Sequence, residues 1–551
     1  MSSNIASLIA PKRQDSISFR KFTYILHPLI RLHFTASSDA REQKNSSTNF
    51  AYHHYVIILH PRKIITILTA TQKKGISMAQ VVIIGAGLTG LSAAYHLEQE
   101  GFFDYTLFEK EVIPGGLCRS VRKNGFTFDY TGHLLHCNDP YISSLLQTLS
   151  TKLPLTKAQR SSHIYSYDTL TPYPYQQQLY GLPPTVIADC IEGFVARKKK
   201  DNPRSFIAWV NAHFGAGFGA HFFFPYQQKL LAYELEKVTA SWTGRFVPST
   251  SLRKLIEGAV APLAPINVGY NAQFLYPTAG GIDQLITALT HSLTLAPITH
   301  NTVEHIDIAH KKITFTSGKT ESYDTLISTM PLNQLLSAIT STETPTIKRL
   351  KQAAPKLHCN SVINVNLAIA REITPRTHWI YYPEKRYPFY RIGFPHLLTP
   401  SMSPTGKSSL SIEMSHCQPT PRPRTTSNHH TATQATATQH HSRIDQAVAH
   451  AKKLFGLHDE EIISHTVLHL PHAYVIYDQW RDRQLEGLLT ILRQHGIYST
   501  GRYGGWNYSS MQEALLNGRQ AATDVRTHRA PYHYVPATVS PINKVFEKQK
   551  S

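Results

Sequence analysis

A short apolar run, Val81-Val82-Ile83-Ile84, leads directly into Gly85-Ala86-Gly87-Leu88-Thr89-Gly90, and a helix-forming stretch at 91–99 follows at once. This juxtaposition constrains the fold more than any other feature of the chain. Four β-branched residues in a row read as a strand buried on both faces, the mark of a parallel sheet, and parallel strands need crossover helices between them. The three glycines serve different ends. Gly85 allows the tight turn, Gly87 lets the backbone approach a pyrophosphate, and Gly90 allows the helix to sit close against the strand. The helix N-terminus around Leu88 and Thr89 presents unpaired N–H groups that favour an anion. A second strand-like run, Tyr105–Phe108, ends at Glu109, where an acid is placed to accept a ribose hydroxyl. The spacing predicts a βαβ unit that binds a dinucleotide.

The rest of the chain narrows the class. With 551 residues, 41% hydrophobic and 17% charged, it buries a large core without help from disulfides or metals. Its five cysteines (Cys118, Cys137, Cys190, Cys359, Cys417) lack paired spacing, so no disulfide framework and no metal site is expected, and a reducing cytoplasm fits. No run of about 18 apolar residues occurs, so no integral membrane segment is expected. Lysine and arginine number 56 against 36 acids, and the formal net charge of +20 points to anionic partners. The longest basic run, Arg197-Lys198-Lys199-Lys200, has no interleaved aromatics, which favours a phosphorylated small molecule over nucleic acid. An oligomer is compatible with this pattern. Residues 1–77 hold 11 Lys/Arg against 3 Asp/Glu and read as a poorly ordered extension ahead of Met78, while 529–551 reads as a flexible tail. The Thr-, Pro-, His- and Gln-rich stretch 417–442 reads as an exposed insertion between a strand-like 409–413 and a helix-like 444–455.

After the acid stand Pro114-Gly115-Gly116-Leu117-Cys118-Arg119 and then Phe128-Asp129-Tyr130-Thr131-Gly132-His133. Here the sequence resembles the flavoprotein group of amine oxidases, phytoene desaturases, protoporphyrinogen oxidases and UDP-galactopyranose mutases, in which a second glycine pair lets the chain run beside FAD. The resemblance implies a glutathione-reductase-like α/β fold with a discontinuous Rossmann FAD domain, re-entered by the strand-like 324–331. Within the group, five dispersed segments resemble UDP-galactopyranose mutases: Tyr173-Pro174-Tyr175-Gln176; Phe224-Pro225-Tyr226 with Trp242-Thr243-Gly244; Tyr270-Asn271-Ala272-Gln273-Phe274; Tyr381-Tyr382-Pro383-Glu384 with Pro388-Phe389-Tyr390-Arg391; and Gly501-Arg502-Tyr503-Gly504-Gly505-Trp506-Asn507-Tyr508.

In that family the reduced flavin N5 displaces UDP from the anomeric carbon of a nucleotide sugar, and the sugar ring reopens and recloses as the furanose with no net redox change. The resemblance therefore implies a nucleotide-sugar substrate, FAD in its reduced form, NAD(P)H as an external reductant and a place in surface glycan synthesis. It assigns Arg391 and Tyr508 to the substrate diphosphate, Arg502 to the flavin and substrate edge, His133 to the isoalloxazine and Asn271 to the pocket wall. Cofactor contacts are expected from Gly85, Gly87, Leu88, Thr89, Gly90, Glu109, Gly115, Gly116, Leu117, Gly132 and Gly501. The FAD domain is expected from 78–149, 269–354 and 481–528, interrupted by a mostly helical substrate domain at 150–268 and a sheet-containing substrate region at 355–480. Two departures bear on the substrate. Gln227 and Leu231 stand where uridine-binding members of the eukaryotic type carry Asn and Trp, and the second diphosphate arginine is displaced by one position, to Arg245. The alternative reading is a net FAD-dependent oxidoreductase of the amine oxidase, porphyrinogen oxidase or desaturase kind.

Overall fold

The computed structural model describes residues 25–27, 30–31, 80–198, 203–262, 272–341, 344–417 and 429–527. The chain divides into two units, Met1–Lys74 and Gly75–Ser551. In the first, the described residues form one antiparallel pair, Ile25–His27 with Ile30–Arg31. The remainder of the 1–77 extension and the 529–551 tail lie outside the described residues.

In the second unit a parallel sheet runs in the order Ile497–Ser499, Thr325–Ser328, Val81–Ile84, Tyr105–Phe108. Every residue of its two central strands is buried, as expected of strands covered on both faces. The chain enters this sheet from three distant parts of the sequence, which makes the α/β domain discontinuous, as expected. The helix Leu88–Gln99 leaves the first strand through the glycine turn and packs on the C-terminal helix Met511–Thr527. Gly518 permits that contact, because a Cβ there would lie 2.3 Å from the Thr89 carbonyl oxygen.

A seven-stranded mixed sheet forms the second layer, in the order Ile462–Leu470, Asn360–Ile369, Ser408–Cys417, Arg391–Gly393, Trp379–Tyr381, Ser162–Ser166, Thr169–Pro172. The stretch 150–268 thus begins with strands and is α-helical only from Pro184; Leu155–Gln159 pairs instead with Gln273–Pro277. The helical part, from Pro184–Ala196 to Leu252–Val260, is held by an aromatic-rich core of Tyr175, Phe206, Phe218, Phe222 and Phe223.

The insertion has regular structure that its composition did not indicate. One helix, His429–Phe455, joins the helix-like 444–455 to the part of the exposed insertion from 429 on, while 418–428 lies outside the described residues. Ala447 and Ala451 are fully buried against the mixed sheet, and no Gly or Pro interrupts 429–455. Once the packed half is nucleated, adding upstream turns costs little, so the helix extends past its anchor.

Candidate functional site

Two glycine loops lie side by side at the C-terminal end of the parallel sheet. Gly85 has φ +95°, and a Cβ there would fall 2.3 Å from Thr329 Oγ1; a Cβ at Gly90 would fall 1.9 Å from the Gly85 carbonyl oxygen. Internal packing therefore explains both. Gly87 is different, since a Cβ there would meet only the Gly116 Cα, at 3.8 Å. Space beside Gly87 is left open by the protein, as a backbone that must approach a ligand requires. The Gly115 N–H donates to the Ala86 carbonyl at 2.9 Å, so the second glycine pair runs alongside the first. Gly501 closes the other flank on the Thr89 side chain.

Glu109 ends the second strand and is buried. Its Oε2 accepts the Ala86 N–H at 2.7 Å and its Oε1 the Glu111 N–H at 2.9 Å. Sequence reasoning gave it only a ribose hydroxyl; in the structure it also braces the glycine turn, and a carboxylate keeps further acceptor capacity for the ribose.

Beyond the loops, the hairpin Ser120–Lys123 and Phe126–Asp129 delivers Gly132 and His133 to the central strand of the mixed sheet, beside Arg391. A Cβ on Gly132 would lie 3.7 Å from Arg391 Nη2, an ordinary contact that places this backbone beside the guanidinium. His133 Nδ1 is closed from solvent without a partner, and burial, with the charges of Arg502 and Arg391, pushes the imidazole down to about 4. The ring is neutral at pH 7.

Arg391 lies on the strand Arg391–Gly393, and its neighbour on Ser408–Cys417 is Glu413. The guanidinium forks onto that carboxylate, Nε to Oε1 at 3.0 Å and Nη2 to Oε1 and Oε2 at 2.9 and 2.8 Å, while the Tyr390 hydroxyl donates to Oε2 at 2.6 Å. Sequence reasoning missed Glu413. The signal was an acid within a strand whose alternate residues, Leu410, Ile412 and Met414, are apolar. Its consequence is that Arg391 arrives already paired, with Nη1 the nitrogen not engaged by Glu413.

Arg502 donates from Nη1 to the Ser509 carbonyl and from Nη2 to the Ala473 carbonyl, and its buried Nε has no partner. Its guanidinium lies 5.2 Å from the Tyr508 ring centroid. The Tyr508 N–H donates to the Tyr477 hydroxyl, and its ring stacks on Tyr474 with an interplanar angle of 20°. Further rings close the space: Tyr226 on Tyr381 at 5.4 Å, Tyr381 on Tyr173 at 5.7 Å. Arg160, also missed, sits over Tyr173 and over Trp379, which Arg391 approaches as well.

The structure therefore brings Gly132, His133, Arg391, Arg502 and Tyr508 together. Leu117, like Tyr226 and Tyr474, packs against the buried cluster that contains Tyr390. Asn271 and the side chain of Arg245 lie outside the described residues. Gln227 is buried with Oε1 unpartnered, whereas Leu231 packs into the helical core, its carbonyl accepting from Asn360. Among the described residues no cluster of His, Cys, Asp or Glu suits a metal ion, and no helix is long and apolar enough to cross a membrane.

Comparison with known proteins agrees with this geometry. Residues 88–526 match the family model of the flavin containing amine oxidoreductases. A reduced UDP-galactopyranose mutase superposes with a TM-score of 0.75 at 26% identity, over 82% of this chain and 97% of the mutase. A putrescine oxidase variant superposes with a TM-score of 0.55 at 15% identity, over 81% and 99%, a likeness of fold alone. Curated relatives match over short stretches: protoporphyrinogen oxidase 2 of Arabidopsis thaliana at 33% over 93 residues, 16% of this chain and 18% of the relative, and a zeta-carotene-forming phytoene desaturase of Myxococcus xanthus at 46% over 50 residues, 9% and 10%. The chain thus spans about a fifth or less of the lengths of these curated relatives. By a match that runs from the glycine-turn helix to the C-terminal helix, the chain belongs to the flavin containing amine oxidoreductase family, and membership implies FAD as its cofactor.

Proposed function

We propose that the protein is a UDP-galactopyranose-mutase-like flavoenzyme that interconverts pyranose and furanose forms of a nucleotide sugar, in the cytoplasm, for surface glycan synthesis. One observation carries the reading: two arginines and a ring of tyrosines converge beside Gly132 and His133, where the glycine-loop domain meets the mixed sheet. A wall of guanidinium and phenol groups suits a sugar diphosphate, because planar cations bind phosphate oxygens directionally and hydroxyls bind sugar oxygens.

The chain's residues fit FAD. The open space at Gly87 and the paired glycine loops accommodate a pyrophosphate, Glu109 retains capacity for a ribose hydroxyl, and the unpartnered His133 Nδ1 is available to a ring edge. Bound in its reduced form, with NAD(P)H as external reductant, FAD supplies a nucleophilic nitrogen for displacement at the anomeric carbon. The protein's part is positioning. Arg391 offers Nη1 to the diphosphate while Glu413 fixes the direction of the fork, Tyr508 and Arg502 face the same space, and the family resemblance adds Asn271 to the wall. His133 stays neutral and adds no cation beside the flavin.

A net oxidoreductase is the second reading, favoured by the curated relatives, which are oxidases and desaturases by name. Purified protein reduced with dithionite and incubated with UDP-galactofuranose separates the two. Conversion to the pyranose only under reduction supports the mutase. Failure to convert, together with turnover of oxygen on an amine or porphyrinogen, moves the oxidoreductase to the front.

A further inference from the structure

The mixed sheet buries a polar strip whose outer half the proposed chemistry does not use. Residues opposite one another in antiparallel strands share a face. The register therefore sets Thr466, Asn366, Ser411, Gly393 and Trp379 in one row across five strands, and Leu468, Asn364, Glu413, Arg391 and Tyr381 in the next. Side-chain bonds tie the two rows: Asn366 Nδ2 donates to Asn364 Oδ1 at 2.6 Å, and Asn364 Nδ2 to Ser411 Oγ at 2.7 Å. Asn364 and Asn366 are fully buried.

Bonding along this strip is incomplete. Asn366 Oδ1, Thr466 Oγ1 and Trp379 Nε1 are closed from solvent and have no partner. Ser411 Oγ accepts from Asn364, which leaves its own hydrogen to donate. Between Ser411 and Trp379 the row carries Gly393, where a Cβ would find nothing nearer than Ser411 Cβ at 3.6 Å, so a methyl-sized space stands open. The hairpin that covers the neighbouring Ala368 presents Phe126 and Phe128, which have no polar side-chain atom to offer. A buried polar group left without a partner is costly, and native interiors seldom leave several unpaired in one place.

We propose that the strip is an internal water-binding site. One ordered water donates to Asn366 Oδ1 and bonds the Thr466 hydroxyl. A second occupies the space at Gly393, accepting from Trp379 Nε1 and from the Ser411 hydroxyl. Both positions then have the two or more polar partners that buried water needs. The second position is surrounded by donors, so it suits a water's lone pairs and not a cation. The floor beneath the Arg391–Glu413 pair is thereby hydrated from within the sheet.

Its test is a crystal structure of the flavin-loaded protein at a resolution that orders water, together with two variants. Water peaks are expected at both positions, and Gly393→Ala, which the local space admits, should keep its FAD and lose the second peak alone. Thr466→Val replaces the hydroxyl by a methyl group of similar size. If that hydroxyl holds a water, the melting temperature falls; if it is dry, removal relieves an unpaired polar group and the melting temperature rises or holds. Absence of both water peaks, a Thr466→Val variant as stable as the parent or more so, or a rubidium ion replacing the first water in a soaked crystal would each overturn the proposal.

Discussion

Substituting Gly87 by Val separates what the glycine turn does for the fold from what it does for the ligand. The backbone at Gly87, φ −73° and ψ −179°, is one that any residue adopts, and a Cβ there would meet only the Gly116 Cα at 3.8 Å. The apo fold should therefore keep its stability, or gain about 0.4–1 kcal/mol from a less flexible unfolded chain, as measured for Gly→Ala at unstrained sites. The FAD pyrophosphate should not be so tolerant, because the side chain occupies the space its oxygens need. Each charge-assisted bond to backbone N–H lost in this way costs about 1.5–3 kcal/mol, roughly 10- to 150-fold in Kd. Loss of two such bonds should leave the site empty after gel filtration. The assay is the flavin-to-protein absorbance ratio after gel filtration, with the melting temperature of the flavin-free protein alongside. Gly90→Ala is the control, since its Cβ would fall 1.9 Å from the Gly85 carbonyl oxygen and should disrupt the fold itself. A stoichiometrically flavinated Gly87→Val protein, or one that fails to fold while Gly90→Ala folds, would refute the reasoning.

Three further outcomes follow from the geometry. Arg391→Ala should retain FAD but weaken UDP binding to the reduced protein by about 2–4 kcal/mol, and it should also lose about 3–5 kcal/mol of stability because Glu413 is left buried with its charge unmatched. Adding Glu413→Gln should restore the melting temperature without restoring UDP affinity; loss of FAD in Arg391→Ala alone would count against the placement. His133 and His472 are both held near 4 by burial, against 6.5 in an unfolded chain, so the native state binds fewer protons and stability should decline as pH falls from about 6.5 to 4. Asp129, raised to about 6 by burial, works the other way, with a contribution present below about 4 and lost as pH rises through 6; His133→Gln should flatten the acid limb, and an unchanged limb in thermal melts argues against a buried neutral imidazole. Deletion of residues 1–77 should leave flavin content and melting temperature intact, because the parallel sheet begins at Val81 and Gln80 is already bonded to Asp324; an insoluble or flavin-free truncation contradicts this.

What the sequence determined by itself was local and periodic. The strand Val81–Ile84, the glycine turn and the helix behind it are dictated by neighbours within a dozen residues, through β-branched burial, turn sterics and helix-terminal N–H groups. That is why the α/β class and a dinucleotide site were legible in the residues alone, and why the resemblance could carry Arg391, Arg502 and Tyr508 to one place. Three things were decided only in the folded chain. Pairing of Ile497–Ser499 with Thr325–Ser328 joins segments with no local reason to meet. The helix starts at His429, well ahead of the helix-like 444–455, because packing of Ala447 and Ala451 nucleates it and upstream turns then cost little. The charge of Arg391 is matched by Glu413, 22 residues further on, through a cross-strand register that no single-strand pattern encodes. Register and partner choice depend on the free energy of whole buried faces, summed over strands far apart in the chain, and so they belong to the tertiary structure and not to any one segment.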